Sequence, residues 1–381
     1  MRVGSKNRTA GARSKIFLSV AAALLALTAP GWIDIARSDW ARRLGPGLSP
    51  QALGHYEYVK RHLREPFRGY TRAQTLIPGF RVIALSHMAC GLANVAQLDA
   101  SRRVEALSLI EETIRRALSA EVAPSSKFLE EPKGWGRGNL YLSHLNLILG
   151  AYRAAGGDGR FDALHGRLSR YLSEASAREP DFTLASFGGA DKWPADQAVT
   201  LDSLYAYDRA HGTHLSDKPI RGWLDFMKAK MTDPELGLHD SHFTAGGRPS
   251  RPRGCALSWS ALYMAQFAPE EARRLYGDYR RQYFRSRLGL GGFREWPPGE
   301  NRGMNADTGP IVLGIGFAAS GLAIGPARLF GDRDAYAAMM RAGAFLGWPI
   351  QCGGRRSYLF APLLGEAILF DGETATRWFQ G

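Results

Sequence analysis

The chain is dominated by a long succession of segments whose apolar residues recur at the spacing of an α-helix. About a dozen such segments follow one another, with hardly any of the alternating pattern that marks a β-strand. They lie near residues 52–64, 80–98, 101–119, 139–155, 159–175, 195–211, 217–231, 256–265, 268–285, 309–324, 332–346 and 360–370. Antiparallel helices in this number can bury their apolar faces in two concentric rings, so the sequence predicts an all-α helical toroid. An open α-solenoid is the alternative, although no fixed repeat period supports it.

Two segments are apolar on every side, as expected of helices in the inner ring. They are NLYLSHLNLILGAY (139–152) and GPIVLGIGFAASGLAIG (309–325). Polar side chains on inner helices, and on the loops at their ends, would line the central pocket.

The N-terminus has the pattern of an export segment. Five basic residues precede the apolar run 16–30. They are Arg2, Lys6, Arg8, Arg13 and Lys15. Such a segment is a secretory signal or a short membrane anchor, and its length is marginal for a span of roughly 20 apolar residues. We assign residues 1–41 to this segment and its linker and 42–381 to the barrel domain, which we expect in the periplasm or anchored outside the inner membrane.

The formal net charge of +13 is partly an effect of this segment, because +13 minus 5 leaves +8 for the rest. No nucleic-acid-binding module is recognisable, so we predict no nucleic-acid partner. Cysteines and histidines show no metal-ligand spacing, and we predict neither metal nor cofactor. The sequence predicts that Cys90 is a packed side chain. It does not decide whether Cys255 and Cys352 form a disulfide.

One helix entrance, DKWPAD (191–196), combines acids with a tryptophan. If Pro194 is the first helical residue, Trp193 is the N-cap and Asp196 stands at position N3. The helix dipole favours an acid at N3 without any function, by about 0.3–1 kcal/mol. Capping leaves Trp193 unexplained, however, and a tryptophan beside a carboxylate suits the floor of a sugar site.

A second entrance, GGFREWPPGENRGMNADTGP (291–310), repeats this combination with Glu295, Trp296 and Asp307. Asp307 is predicted to cap the following helix or to lie one turn before it, with Thr308 as a competing cap. A loop of this length rich in Gly, Pro and acids is more often functional than a plain connection.

A third entrance, FLEEPKGWGRGN (128–139), brings Trp135 to the start of the helix that carries His144 and its neighbour Tyr141. His144 is either a satisfied core side chain or an acid/base group in the pocket. Inner helices of a toroid begin at the same end, so the three entrances can converge on one active site.

Several stretches resemble the linalool dehydratase-isomerase family in order and spacing over about residues 50–370. They are GLANVA (91–96), NLYLSHLNLILGAY (139–152), YDRAHGT (207–213) and RGWLDFMKAKMTDPELG (221–237). The resemblance implies an (α/α)6 barrel and an exported bacterial enzyme that acts on a terpene alcohol. Family members can also form cyclic homo-oligomers, so a homo-oligomer is among the states that the resemblance allows.

The family's pocket residues carry over at one position, since His144 matches the pocket histidine. Asp196 stands where the family has a pocket cysteine, and the preceding Cys–Glu pair falls near Phe187 and Gly188. The family's N-terminal aspartate falls near His62 in this sequence, and the nearby tyrosine falls near Arg68. Carboxylates, tryptophan and arginine replace a thiol-lined pocket, which suits a polyhydroxylated substrate better than a monoterpene.

The sequence therefore predicts acid/base chemistry at a C–O bond of a carbohydrate or other hydroxylated small molecule, as in a glycoside hydrolase. A hydro-lyase or isomerase acting on a small terpene-like alcohol is the second hypothesis, and a non-catalytic ligand-binding protein is the third. The catalytic candidates are Asp196, Asp307, His144 and Glu295. The substrate-binding candidates are Trp193, Asp191, Trp296, Trp135, Tyr141 and Arg294.

Overall fold

The computed structural model describes residues 6–38, 44–45, 47–64, 79–244 and 249–379. In these ranges the α-helices are α1 (Lys6–Arg37), α2 (Pro50–Leu63), α3 (Phe80–Leu98), α4 (Arg103–Ala117), α5 (Asn139–Ala154), α6 (Asp162–Arg178), α7 (Pro194–His211), α8 (Asp217–Lys230), α9 (Gly254–Phe267), α10 (Pro269–Tyr283), α11 (Phe317–Leu329), α12 (Arg333–Gly347) and α13 (Leu363–Thr374). Short 3-10 helices cover Ala100–Arg102, Phe128–Glu130, Pro132–Arg137 and Gly159–Phe161. Arg2 and Arg68 lie outside the described residues.

The helices form two concentric rings, which confirms the predicted toroid. The odd-numbered helices from α3 to α13 each pack against the next, and α13 packs against α3, so the inner ring is closed. The even-numbered helices from α2 to α12 form the outer ring. The fold is an (α/α)6 barrel.

The pattern of buried residues in each helix depends on whether the helix belongs to the inner or the outer ring. Every residue of the inner helix α5 from Asn139 to Tyr152 is buried. The outer helix α10 buries one stripe, at the spacing of a single helix face. Its members are Ala272, Leu275, Tyr276, Tyr279 and Tyr283. The all-round apolar pattern of an inner helix therefore reflects neighbours on both sides.

The inner helices all begin at one end of the barrel, which we call the mouth. The long connections gather there and, in the part of the chain that the structure describes, carry four two-stranded antiparallel ladders. These pair β1 (Asp191–Lys192) with β2 (Phe243–Thr244), β3 (Phe284–Arg287) with β4 (Leu290–Phe293), β5 (Ile311–Val312) with β6 (Ile315–Gly316), and β7 (Pro349–Cys352) with β8 (Arg355–Tyr358). Connections at the opposite end are short, and Ala268 alone joins α9 to α10.

Helix α11 begins eight residues later than the sequence predicts, because residues 309–316 form a turn and the β5–β6 hairpin. Leu313 and Gly314 make the hairpin turn with φ of 51° and 81°. A short apolar run rich in glycine can be a strand as well as a helix, and periodicity alone does not separate the two.

The last part of α1 packs on the outside of the barrel. Asp34 accepts two hydrogen bonds from the Arg356 guanidinium, at 2.6 and 2.9 Å, and both side chains are buried. Gly31 lies so close to α12 that a Cβ would be 2.7 Å from the Ala344 carbonyl oxygen. Folded contacts therefore begin before residue 42. Within the described residues, no helix combines the length and hydropathy needed to cross a membrane.

Candidate active site at the barrel mouth

Asp196 lies in the first turn of α7, after Trp193 as N-cap and Pro194 as first helical residue, as the sequence predicts. Its carboxylate accepts a 2.5 Å hydrogen bond from the Ser186 hydroxyl, which belongs to the preceding loop. The pKa of Asp196 is raised to about 6: burial is the largest cause, the Ser186 hydrogen bond opposes it, and the negative charge of Asp307 adds to it. Roughly a tenth of a group with this pKa is protonated at pH 7, far more than of an ordinary aspartate.

Glu295 is completely buried beside the start of α9. Its Oε1 accepts hydrogen bonds from Arg253 Nε at 3.0 Å and from the Cys255 thiol at 3.1 Å, while its Oε2 accepts one from the Cys255 backbone N–H at 3.2 Å. Burial raises the pKa of Glu295 in spite of Arg253, and burial together with Glu295 raises the pKa of the Cys255 thiol well above its usual value. The thiol is therefore protonated at neutral pH.

Asp307 is 57% exposed and lies at the rim of the same site. The predicted capping role is wrong, because α11 starts ten residues later at Phe317. Its carboxylate instead faces Arg253 Nη1 at 3.9 Å. Arg253 thereby joins Asp307 to Glu295, and its guanidinium lies over the Trp296 ring at 5.0 Å.

Trp193 and Asp191 flank the entrance to α7. The Trp193 ring is half-buried and contacts Phe187 and His242, with ring centroids 6.3 and 5.0 Å apart. Asp191 is exposed and accepts a 2.9 Å hydrogen bond from His242 Nε2. Both side chains lie at the mouth, where a ligand entering the barrel would meet them.

Trp296 and Arg294 stabilise the loop that carries Asp307. Trp296 Nε1 donates to the Gly303 carbonyl at 2.9 Å, and Arg294 donates to the carbonyls of Trp296 and Glu300 at 3.4 Å each. Arg294 therefore shapes this loop, whereas the Trp296 ring remains half-buried next to Arg253.

Trp135 and Tyr141 are not brought to the mouth. Trp135 is buried, and its Nε1 donates to the Phe128 carbonyl at 2.9 Å. The hydroxyl of Tyr141 donates to the Ala117 carbonyl at the end of α4, also at 2.9 Å. Both side chains use their polar atoms on the backbone and pack between the rings, which is a structural arrangement and not a ligand-binding one.

His144 lies below the mouth and is completely buried in α5. Its Nδ1 is 2.6 Å from the Ser86 hydroxyl, which donates its own proton to the Ile83 carbonyl. A hydroxyl has one proton to donate, so Nδ1–H is the donor to Ser86 and Nε2 carries a lone pair. Burial and the neighbouring His87 lower the pKa of His144 to about 3, so the ring is neutral at pH 7.

The Nε2 atom of His144 has no hydrogen-bond partner among the described residues. The same is true of the indole Nε1 of Trp259, whose ring meets His144 edge-on at 5.9 Å. Trp259 also contacts His87, whose Nδ1 is 2.8 Å from the Asp371 carboxylate. A base with an available lone pair thus lies one layer beneath the carboxylates.

Sequence reasoning did not single out Arg253, Cys255, Ser186 or Trp259 as site residues. Arg253 and Cys255 reach Glu295 over about forty residues of chain, and no local motif links them. A signal existed for Arg253, because it directly precedes an inner helix, like the acids of the other entrances.

No group of three His, Cys, Asp or Glu in the described ranges is placed to hold a metal ion. The neighbouring residues His239 and His242 also hold no metal-like arrangement: desolvation lowers the pKa of His239 to about 4, and His242 bonds to Asp191. Cys90, Cys255 and Cys352 are all free thiols, so the open question of a disulfide is answered in the negative.

No family model matches the sequence. Among solved structures, the chain is similar to the crystal structure of a family 76 glycoside hydrolase from a bovine Bacteroides thetaiotaomicron strain, with a TM-score of 0.48 and 11% sequence identity. The alignment covers 77% of this chain and 68% of that chain.

Proposed function

We propose that the mouth is the active site of an enzyme that hydrolyses a C–O bond in a glycan or another hydroxylated substrate. The observation that carries this proposal is the pair of unlike carboxyl groups: Asp196, whose pKa is about 6, and the exposed Asp307 beside Arg253. A carboxyl group with a raised pKa, together with a second carboxyl group at the rim, suits general acid and general base roles.

In this mechanism Asp196 protonates the leaving oxygen, and its Ser186 hydrogen bond orients the carboxyl group. Asp307 either activates a water or attacks the anomeric carbon directly. The separation of the two carboxyl groups in the substrate complex decides between these routes: about 5–5.5 Å fits retention, and about 6.5–9.5 Å fits inversion. Arg253 holds Asp307 and Glu295 in place from one guanidinium.

The aromatic rings at the mouth support a sugar-like substrate. Trp193 and Trp296 are both half-buried, so each presents part of an apolar ring next to polar groups. Pyranose rings bind to such faces through their C–H side, while their hydroxyls reach carboxylates and amides at the rim. Asp191 and Asn305, an exposed residue whose Oδ1 accepts a 3.3 Å hydrogen bond from Arg253, supply such groups here.

The test is the release of reducing ends from a panel of polysaccharides and oligosaccharides by the purified protein. Asp196→Asn and Asp307→Asn are each expected to lower the rate by about 10²–10⁴, the usual contribution of a general acid or base. Asp217→Asn is the matched control, since this exposed acid lies in the first turn of the outer helix α8, at the end of the barrel opposite the mouth. Equal activity of Asp196→Asn and Asp217→Asn would refute the assignment.

A second candidate function is elimination of water from a small alcohol, and the unpartnered Nε2 of His144 favours it. In this step the neutral imidazole removes a proton from the carbon next to the leaving hydroxyl, and Asp196 donates a proton to that hydroxyl, which leaves as water while the C=C bond forms. Headspace analysis of terpene alcohols incubated with the protein tests this chemistry, with His144→Gln as the variant that must lose it. Ligands that shift the melting temperature without any product would favour the binding-protein hypothesis.

We also propose that the domain lies outside the cytoplasm, retained there by the basic and apolar N-terminal segment. The support is the order of five basic residues and the apolar run 16–30. Fractionation of cells expressing the full chain with a C-terminal tag tests this location. Recovery only in the cytosol would contradict it.

A further inference from the structure

The exposed apolar side chains of the molecule are concentrated at the mouth. Among the described side chains, all large exposed apolar residues except Val104 lie on α1, on the last turn of α12 or on the connections at the mouth. Apart from Val104, the most exposed are Leu313 at 97%, Leu288 at 92% and Phe17 at 73%. Apolar side chains gathered on one face mark a surface for a protein or a membrane.

Leu288 and Leu313 occupy the turns of the β3–β4 and β5–β6 hairpins. Both have positive φ, 53° and 51°, and each precedes a glycine that also has positive φ. Hairpin turns of this kind favour asparagine or glycine at the first position, because a leucine there strains the backbone. The stability of the fold does not explain an exposed leucine at two such turns. The two leucines therefore favour a contact with another molecule.

Helix α1 projects beyond the mouth. Its Gly31 approaches Ala344 in the last turn of α12, whereas Ser38 accepts a 3.3 Å hydrogen bond from Gln51 at the start of α2. Outer helices end at the mouth, so α1 runs away from the mouth as residue numbers rise. The preceding residues therefore extend past it by about 1.5 Å each. Exposed apolar side chains on this part are Phe17, Leu18 and Leu25.

One part of the rim, next to the β7–β8 hairpin, is rich in basic side chains. A groove of about 350 Å³ between α2 and the β7–β8 turn has four basic side chains and one acid on its walls. They are Lys60, Arg61, Arg64, Arg355 and Glu57. Arg285 and Arg287, both exposed, come just before Leu288. Basic groups that surround apolar side chains are complementary to an anionic lipid surface.

We propose that the mouth face docks onto an anionic lipid bilayer, with Leu288, Leu313 and the projecting part of α1 entering the interface. The carboxylates Asp196 and Asp307 then face the membrane. If the proposed hydrolase function holds, the substrate is an amphiphile that carries its hydroxylated head group on a lipid, since such a molecule reaches the mouth from the bilayer plane. Docking itself is independent of that function.

The experiment is flotation of the full-length protein with vesicles of phosphatidylglycerol and phosphatidylethanolamine, compared with pure phosphatidylcholine vesicles. The double variant Leu288→Asn with Leu313→Asn removes both exposed leucines, and asparagine accepts positive φ readily, so the fold is retained. Val104→Asn is the matched control, because Val104 is 81% exposed and lies at the opposite end of the barrel.

We expect the wild type to bind anionic vesicles, and its binding to weaken at high salt. The double variant should bind about tenfold or more weakly than the wild type, whereas Val104→Asn should bind as the wild type does. The melting temperature of the double variant should equal or exceed that of the wild type. Absence of wild-type binding to anionic vesicles would overturn the proposal, as would equal loss in Val104→Asn. Conversion of an oligomer to monomers by the double variant, without vesicle binding by the wild type, would show that the face is a contact between copies.

A second arm separates docking from chemistry. A water-soluble glycoside and the same sugar on a lipid in vesicles are compared as substrates. The double variant should lose activity on the lipid-borne sugar only. If neither is hydrolysed while flotation succeeds, the hydrolase proposal fails and docking stands. If the wild type and the double variant cleave the lipid-borne sugar equally, the proposed substrate class is refuted.

Discussion

Asp34→Asn should destabilise the whole domain, although residue 34 lies in a segment with the composition of an export signal. Asp34 is 6% exposed and Arg356 is 2% exposed, and two hydrogen bonds join them. Burial opposes the charged form of Arg356, and Tyr358 and Asp34 together hold its pKa above the usual value. An arginine side chain is not deprotonated in proteins, so the cation persists when Asp34 is replaced. Breaking one side of a buried ion pair costs about 3–5 kcal/mol, because the Arg356 charge stays buried after it loses the Asp34 carboxylate.

This loss converts into a melting-temperature shift. An unfolding entropy of about 2.1 cal/mol/K per residue gives about 0.8 kcal/mol/K for 381 residues. A loss of about 3–5 kcal/mol then lowers the melting temperature by about 4–6 °C. Thermal unfolding followed by circular dichroism or calorimetry measures the shift. Glu174→Gln is the control, since its pair with Arg178 is 67% exposed on both sides and should contribute almost nothing.

A melting temperature unchanged in Asp34→Asn would refute the reasoning, because α1 could then not be a part of the folded domain. A rescue variant sharpens the test. Replacing both partners, Asp34→Leu with Arg356→Met, removes the buried charge together with its partner and should restore most of the lost stability. If Asp34→Asn lowers the melting temperature and the double variant does not restore it, the new side chains pack poorly. In that case the melting temperature of Asp34→Asn alone tests the prediction.

Three further outcomes follow from the site. Asp196→Asn should raise the free energy of unfolding at pH 7.5 by about 1–3 kcal/mol, although it lowers the hydrolysis rate. The folded pKa of about 6 exceeds the usual 3.8, so the wild-type protein loses stability as pH rises from about 4 to about 6, and asparagine does not suffer this loss. Urea titrations at pH 4 and 7.5 measure this, and a difference between variant and wild type that is independent of pH would contradict it. Ser186→Ala removes the hydrogen bond that lowers the pKa of Asp196, so the alkaline limb of the pH–rate profile should move to higher pH. Iodoacetamide should label Cys352 in the native protein and leave Cys90 and Cys255 unlabelled until unfolding, as intact mass spectrometry would show, because Cys352 alone of the three is exposed.

Much of the fold could be predicted from the sequence, because in an (α/α)6 barrel the apolar residues that recur at helical spacing are the residues that become buried. Helix α3 was predicted at residues 80–98 and occupies Phe80–Leu98. The exception was 309–316, where glycine and β-branched residues form a hairpin that periodicity cannot separate from a helix. That hairpin also determines the position of Asp307, which is why its relation to α11 was predicted wrongly.

The site was only partly predictable, for a different reason. Asp196 and Glu295 could be found because an acid next to a tryptophan at an inner-helix entrance is a local signal. The partners that set their protonation, Ser186 and Arg253, come from other loops, and only the closed ring brings them near. The same local signal was misleading for Trp135, since a sequence does not show whether a ring at an entrance points to the mouth or to the outer layer.

The most direct test of the central claim is the pKa of Asp196 in protein labelled with ¹³C at the aspartate carboxyl, followed by NMR over pH 3–9. The signal is assigned by its loss in Asp196→Asn. The account predicts a value near 6 in the wild type and a lower value in Asp307→Asn, still above 3.8 because burial remains the largest cause. A wild-type pKa near 3.8 that does not respond to Asp307→Asn would contradict the claim that the two carboxyl groups act on one site.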